Sequence, residues 1–89
     1  MDNYFNILNA GDKVMVHIEP NLYPSAEKDL MKKVVKAKDG KLWVKATVEA
    51  VWHPIFYSGI DFKLRKNGKK YPVHNSRLMS VEDFEKEQK

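Results

Sequence analysis

The chain has 89 residues, of which 43% are hydrophobic and 11% aromatic, and its formal net charge is +4. This length fits one domain, residues 1–89, and the apolar content is high enough for a core, which argues against a disordered chain. With no Cys, the chain has neither a disulfide nor a Cys-based zinc site, a composition that suits a reducing compartment.

Positive charge is concentrated in the middle of the chain. Residues 30–77 carry twelve Lys and Arg against three Asp and Glu, whereas residues 1–29 and 78–89 are each net acidic. A focused basic field attracts polyanions better than the net charge suggests. The same counts are equally typical of a solvated, Lys-rich surface, so charge alone leaves both interpretations open.

No secretion signal or membrane span is expected. The chain starts without the basic residues and apolar run of a signal, and its longest apolar stretches are far below the ~20 residues that cross a bilayer. We therefore expect a cytoplasmic protein.

The first predicted element is a strand. After a lead-in turn at residues 6–11, residues 13–18 alternate, with Val14, Val16 and Ile18 on one face, which is typical of a half-buried strand. Residues 19–29 follow as a loop, because Pro20 and Pro24 interrupt regular pairing.

The next segment leads into the longest strand. Residues 30–38 are ambiguous, since their apolar spacing fits a helix while the adjacent Val34 and Val35 fit a strand, which we favour. Asp39-Gly40 predicts a two-residue hairpin turn of the mirror-image type, which needs positive φ angles. The following strand, residues 41–52, has two alternating faces. One face carries Val44, Ala46, Val48, Ala50 and Trp52, and the other Trp43, Lys45, Thr47, Glu49 and Val51.

A second hairpin and a short helix complete the chain. Residues 60–65 alternate as a strand, Asn67-Gly68 predicts another tight turn, and residues 69–74 return as an edge strand because they contain a proline. A single turn at residues 75–79 leads to a capped helix at residues 81–88.

Short strands separated by tight turns predict a mainly β fold. At this length a small barrel is the natural arrangement, because closure removes exposed sheet edges. The predicted core consists of Val14, Val16, Ile18, Val44, Ala46, Val48, Ala50, Ile60, Phe62, Leu64, Val73 and Leu78.

Three segments, taken in chain order, carry a family resemblance. Residues 11–14 (Gly-Asp-Lys-Val) form an opening, residues 39–48 combine a turn, an aromatic and Ala-x-Val, and residues 62–78 form a hairpin with a closing turn. This order resembles SH3-like barrels of the Tudor, Agenet and KOW type. The resemblance implies a small SH3-like (Tudor-like) barrel with an inserted segment at residues 19–38 and a short C-terminal helix.

No catalytic or metal-binding arrangement is evident. His17, His53 and His74 lack the close spacing of metal ligands, each Ser lies in a loop or turn context, and there is no Gly-rich phosphate loop. A small barrel also has little concave volume for a substrate. We therefore expect a non-catalytic binding module without a metal or cofactor.

Nucleic-acid binding is the preferred hypothesis. The outer face of the long strand is expected to lie beside Lys63 and Arg65 of the next strand, so that cations neutralise phosphates while an exposed Trp43 stacks on a base. The predicted contacts are Trp43, Lys45, Lys63, Arg65, Lys66, Lys69 and Lys70. The alternative for Trp43 is burial beneath residues 19–38.

A protein-interaction module is the rival hypothesis. SH3-like barrels bind peptides through aromatic residues of their long loops, and aromatic residues are enriched at binding hot spots. The corresponding candidates are Tyr23, Trp52, Phe56 and Tyr57, with packing in the core as the alternative for Trp52. A module of this kind, or an inhibitor of another protein, would suit a phage or mobile-element accessory factor.

Overall fold

The computed structural model describes residues 8–19, 31–52, 58–66 and 68–88. These residues are mainly β, with six strands in one antiparallel sheet and a short C-terminal helix. The elements are β1 (Lys13–His17), β2 (Val35–Lys36), β3 (Leu42–Trp52), β4 (Gly59–Lys63), β5 (Tyr71–His74), a 3₁₀ turn (Asn75–Arg77), β6 (Leu78–Ser80) and α1 (Val81–Glu87).

The long strand β3 is the centre of the sheet. The strand order is β5-β4-β3-β1-β6, and the short β2 pairs with the start of β3. Thr47 in the middle of β3 pairs with Lys13 of β1 at one edge and with Lys63 of β4 at the other. Three neighbouring strands are therefore held in a register that aligns these residues in a row.

The inner face of the sheet carries the main core. The inner faces predicted for β1 and β4 are confirmed, because Val14, Val16, Ile60 and Phe62 are fully buried. The prediction that β1 is half-buried is wrong, because Met15 on its other face is also buried. Sequence reasoning did not include Leu8 or Tyr71. The buried residues of this cluster are Leu8, Val14, Val16, Ile18, Val44, Ala46, Val48, Ile60, Phe62, Tyr71 and Val73, with Val34, Val51, Leu64 and Leu78 packed against them.

A register irregularity in β3 overturns one core prediction. Val48 pairs with Phe62, but the next matched pairs are Ala50 with Asp61 and Val51 with Ile60. An extra residue in one strand moves every following side chain to the opposite face. Val51 therefore packs against the core, whereas Ala50 is exposed and its predicted place in the core is wrong.

The first hairpin forms where it was predicted, with a different turn. The Ala37 N–H donates to the Lys41 carbonyl (2.9 Å) and the Gly40 N–H to the Ala37 carbonyl (2.9 Å), so the loop is residues 38–40. Gly40 has a φ of +87°, while no described residue other than glycine has a positive φ. The predicted two-residue mirror-image turn is wrong, because a three-residue loop needs positive φ only at its final glycine.

The second hairpin pairs β4 with β5 through a wider connection than predicted. The pairing ends at Phe62 and Tyr71, and the Gly68 N–H donates to the Arg65 carbonyl (3.0 Å). β4 therefore ends at Lys63 and β5 begins at Tyr71, so the predicted two-residue turn at Asn67-Gly68 between strands that reach Arg65 and residue 69 is wrong. Pro72 lies in β5 at the edge of the sheet, as predicted.

Local signals also located the C-terminal helix. The Asp83 N–H donates to Ser80 Oγ (3.0 Å), which confirms the predicted cap.

The ambiguous segment, residues 30–38, contains both alternatives, since residues 31–33 are helical and Val35–Lys36 form β2. No helix within residues 8–19, 31–52, 58–66 and 68–88 is long and apolar enough to cross a membrane. Of the predicted loop at residues 19–29, only Glu19 is among the described residues.

Candidate functional site

A row of polar side chains crosses the outer face of the sheet. Lys13, Thr47 and Lys63 are matched across β1, β3 and β4, so their side chains project to the same side. The Lys13 Nζ donates a hydrogen bond to Thr47 Oγ1. A hydroxyl partner leaves the full positive charge of the ammonium in place.

This row forms the floor of an open groove of about 540 Å³. Of the described side chains that line it, four are cationic and one is acidic. The lining residues are Lys13, Thr47, Glu49, Lys63, Leu64, Arg65 and Lys66. Because like-charged lysines from three separate segments converge here, the groove has a positive potential that favours anionic ligands.

Glu49 is the acidic residue of the groove. Its Oε1 lies 3.2 Å from Lys63 Nζ, with 38% of the Glu49 side chain and 24% of the Lys63 side chain exposed. Lys63 Nζ also donates to the Lys66 carbonyl (3.4 Å), a contact that links the end of β4 to the loop that follows it. Since solvent screens a partly exposed pair, this salt bridge orients Lys63 more than it stabilises the fold.

The structure brings together only part of the predicted nucleic-acid contact set. Lys63, Arg65 and Lys66 line one groove, as the hairpin position suggested. Three further predicted contacts, Lys45, Lys69 and Lys70, are exposed but do not line it. Lys13 lines the groove but was missed, because its position opposite Thr47 depends on the pairing of β1 with β3.

The prediction that Trp43 lies open on the outer face is wrong. Only 8% of this residue is exposed, and it packs in a second apolar cluster with Met15, Ala37 and Phe84. The Trp43 and Phe84 ring centroids are 5.7 Å apart. Trp43 does project outward from β3, but helix α1 docks on that side and covers the indole with Phe84.

The covered part of the face is closed by further contacts. Gln88, which follows α1, accepts through Oε1 a hydrogen bond from the Lys38 N–H (3.0 Å) and donates through Nε2 to the Phe84 carbonyl (3.3 Å). A cavity of about 190 Å³ remains beside this contact, lined by Trp43, Phe84 and neighbouring residues. The end of the helix is thereby tied to the turn between β2 and β3.

His17 lies beside Trp43 at the covered end of β1. Its ring centroid is 5.3 Å from that of Trp43. Burial lowers the pKa of His17, and the nearby positive charges of Arg77 and Lys41 lower it further, against weaker opposite effects of Glu19 and Asp39. The folded protein therefore favours the neutral imidazole.

The aromatic residues predicted for protein binding do not form a described patch. Trp52 is half-buried at the end of β3, where its ring lies against Gly59 so closely that an added Cβ there would come within 2.7 Å of it. This close packing supports a structural role for Trp52. Tyr23, Phe56 and Tyr57 lie outside the described residues.

Among the residues that the structure describes, no three His, Asp or Glu side chains are grouped so that they could hold a metal ion. In comparisons with protein-family models, curated proteins and solved structures, no match to this chain is found.

Proposed function

We propose that this protein is a non-catalytic module that binds nucleic acid through the cationic groove. The observation that carries the proposal is the convergence of Lys13, Lys63, Arg65 and Lys66 on one open face, where Glu49 is the one acid among the described lining residues. Lysine and arginine side chains that neutralise phosphates release counterions, and this release supplies most of the affinity in binding that does not depend on sequence.

The chemistry of the groove favours contacts to the backbone over contacts to bases. Its charged side chains come from a sheet and a hairpin loop, and α1, a seven-residue helix, lies on the other part of the face. Phosphate contacts position a protein on nucleic acid without reading its sequence. The proposed binding is therefore sequence-tolerant.

We also propose that the sheet adopts the SH3-like arrangement. The strand order β5-β4-β3-β1-β6 supports this proposal, as does the 3₁₀ turn Asn75–Arg77 between β5 and β6. Both features agree with the closing hairpin and short turn that the family resemblance implies.

The direct test is a fluorescence-anisotropy titration with labelled oligonucleotides at two salt concentrations. Micromolar binding that weakens steeply with salt is expected, and a Lys63→Glu/Arg65→Glu variant should bind at least about tenfold more weakly. The matched control is Lys32→Glu/Lys33→Glu, which changes the net charge equally at exposed residues outside the groove. Equal losses in both variants would contradict a localised site.

Absence of binding at low salt would reject the nucleic-acid proposal outright. The groove would then be solvated surface, and a protein partner that uses the loop aromatic residues would become the hypothesis to test.

A further inference from the structure

We infer that the cationic groove binds the backbone of double-stranded nucleic acid in preference to a single strand. This inference rests on the proposed function and specifies its ligand class. Two observations support it. The aromatic side chains near the groove are packed against other residues, and the cations of the groove lie in a row of known spacing.

The first observation concerns base stacking. Proteins that favour single strands combine a basic groove with aromatic side chains on which successive bases stack. Among the residues that the structure describes, none of those lining the groove is aromatic. Trp43, on the same face of β3, is held under Phe84, and the ring of Trp52 is packed against Gly59. Among the described residues near the groove, cations are therefore accessible, whereas the aromatic rings that could stack on unpaired bases are packed against other residues.

The second observation concerns charge density. Lys13 and Lys63 lie on strands separated by β3, so their backbones are two strand spacings apart, about 10 Å. Along about 10 Å of axis a duplex presents about six phosphates, one per ~1.7 Å, whereas one of its strands presents about three. A duplex therefore has about twice the negative charge per unit length, and a fixed row of cations binds it without having to order a flexible chain.

The charges of the groove set the expected salt dependence. The described residues of the lining comprise four cations and one acid, Glu49, so their net charge is +3. Neutralising about three phosphates predicts a slope of log K against log salt of about −2.7 on a duplex and about −2.1 on a single strand.

The test measures binding of the 89-residue chain to one labelled 20-nucleotide pyrimidine strand, alone and annealed to its complement. We expect the duplex to bind at least about fivefold more tightly at low salt and to show the steeper slope. Lys13→Gln should reduce the duplex slope by about 0.9, one phosphate contact, whereas the control Lys33→Gln should leave it unchanged.

The outcomes separate this inference from the function on which it rests. Equal or tighter binding of the single strand would overturn the duplex preference and leave nucleic-acid binding intact. Binding of neither form at low salt would overturn both. A duplex preference that Lys13→Gln leaves unaltered in affinity and slope would overturn the role assigned to the row across β1, β3 and β4.

Discussion

The outer face of the sheet has two halves that are built from the same strands but differ in exposure. In β1, Lys13 lies in the open cationic groove, while Met15, two residues later, is buried beneath α1. In β3, Thr47 belongs to the open half and Trp43 to the covered half. The face to which a side chain belongs thus depends on strand alternation, but its exposure depends on where the helix docks.

A single helix residue accounts for most of this difference. Phe84 is 9% exposed and packs on Trp43, whereas most charged residues of α1 remain on its solvent side. Burying two aromatic rings and a methionine offsets the cost of ordering a helix too short to be stable alone. The composition of a β face therefore does not show which part of that face is exposed for ligand binding.

The largest effect is expected from a substitution in the core beneath both halves of the outer face. Val48 is 1% exposed on the inner face, directly behind the groove. Val48→Asp would bury an unpaired charge, which costs several kcal/mol and is enough to unfold a small domain. Circular dichroism during heating should show no cooperative transition, whereas Val35→Asp, at a residue 47% exposed, should still unfold cooperatively. A cooperatively folded Val48→Asp variant would contradict the register of β3.

The next effect should be confined to the covered half. Phe84→Ala should lower the free energy of unfolding by about 3 kcal/mol, since it leaves a cavity over Trp43. Urea denaturation followed by tryptophan fluorescence measures this loss, and the exposed-site control Glu85→Ala should change stability by no more than about 0.5 kcal/mol. Oligonucleotide affinity should stay the same. A large loss of affinity in a folded Phe84→Ala variant would show that the halves are not independent.

A smaller effect should appear in the open half alone. Glu49→Gln removes the acid of the groove and releases Lys63, so we expect oligonucleotide affinity to rise about threefold. Stability should change by less than about 1 kcal/mol, because the lost ion pair is partly exposed. Anisotropy titrations measure the oligonucleotide affinity of Glu49→Gln and of the control Glu85→Gln, which makes the same charge change on α1. An equal rise in both variants would mean that only net charge matters.

The smallest effect concerns pH and the covered half. Because the pKa of His17 is below its ordinary value of 6.5 in the folded protein, the unfolded chain binds more protons, and stability is lost as pH falls below about 6.5. The melting temperature should therefore be lower at pH 5.5 than at pH 7.5. His17→Gln should reduce this difference. An unchanged difference in that variant would assign the pH dependence to other groups.

The sequence by itself determined the elements that depend on neighbouring residues. The inner faces of β1 and β4, the position of the hairpin near Gly40 and the cap at Ser80 each follow from side chains a few residues apart, which is why they were predictable. Part of the groove was also predictable, since Lys63 and Arg65 are close together in the chain on either side of a strand end.

Only the tertiary structure decided the features that depend on residues distant in the chain. The irregularity after Val48 moves Ala50 out of the core, a shift that appears only when β3 is matched to β4. Lys13 joins the groove because β1 pairs with β3, and Trp43 is hidden because α1 returns across the sheet. Strand alternation is a local property of the backbone, whereas exposure is the result of packing between segments that the sequence separates.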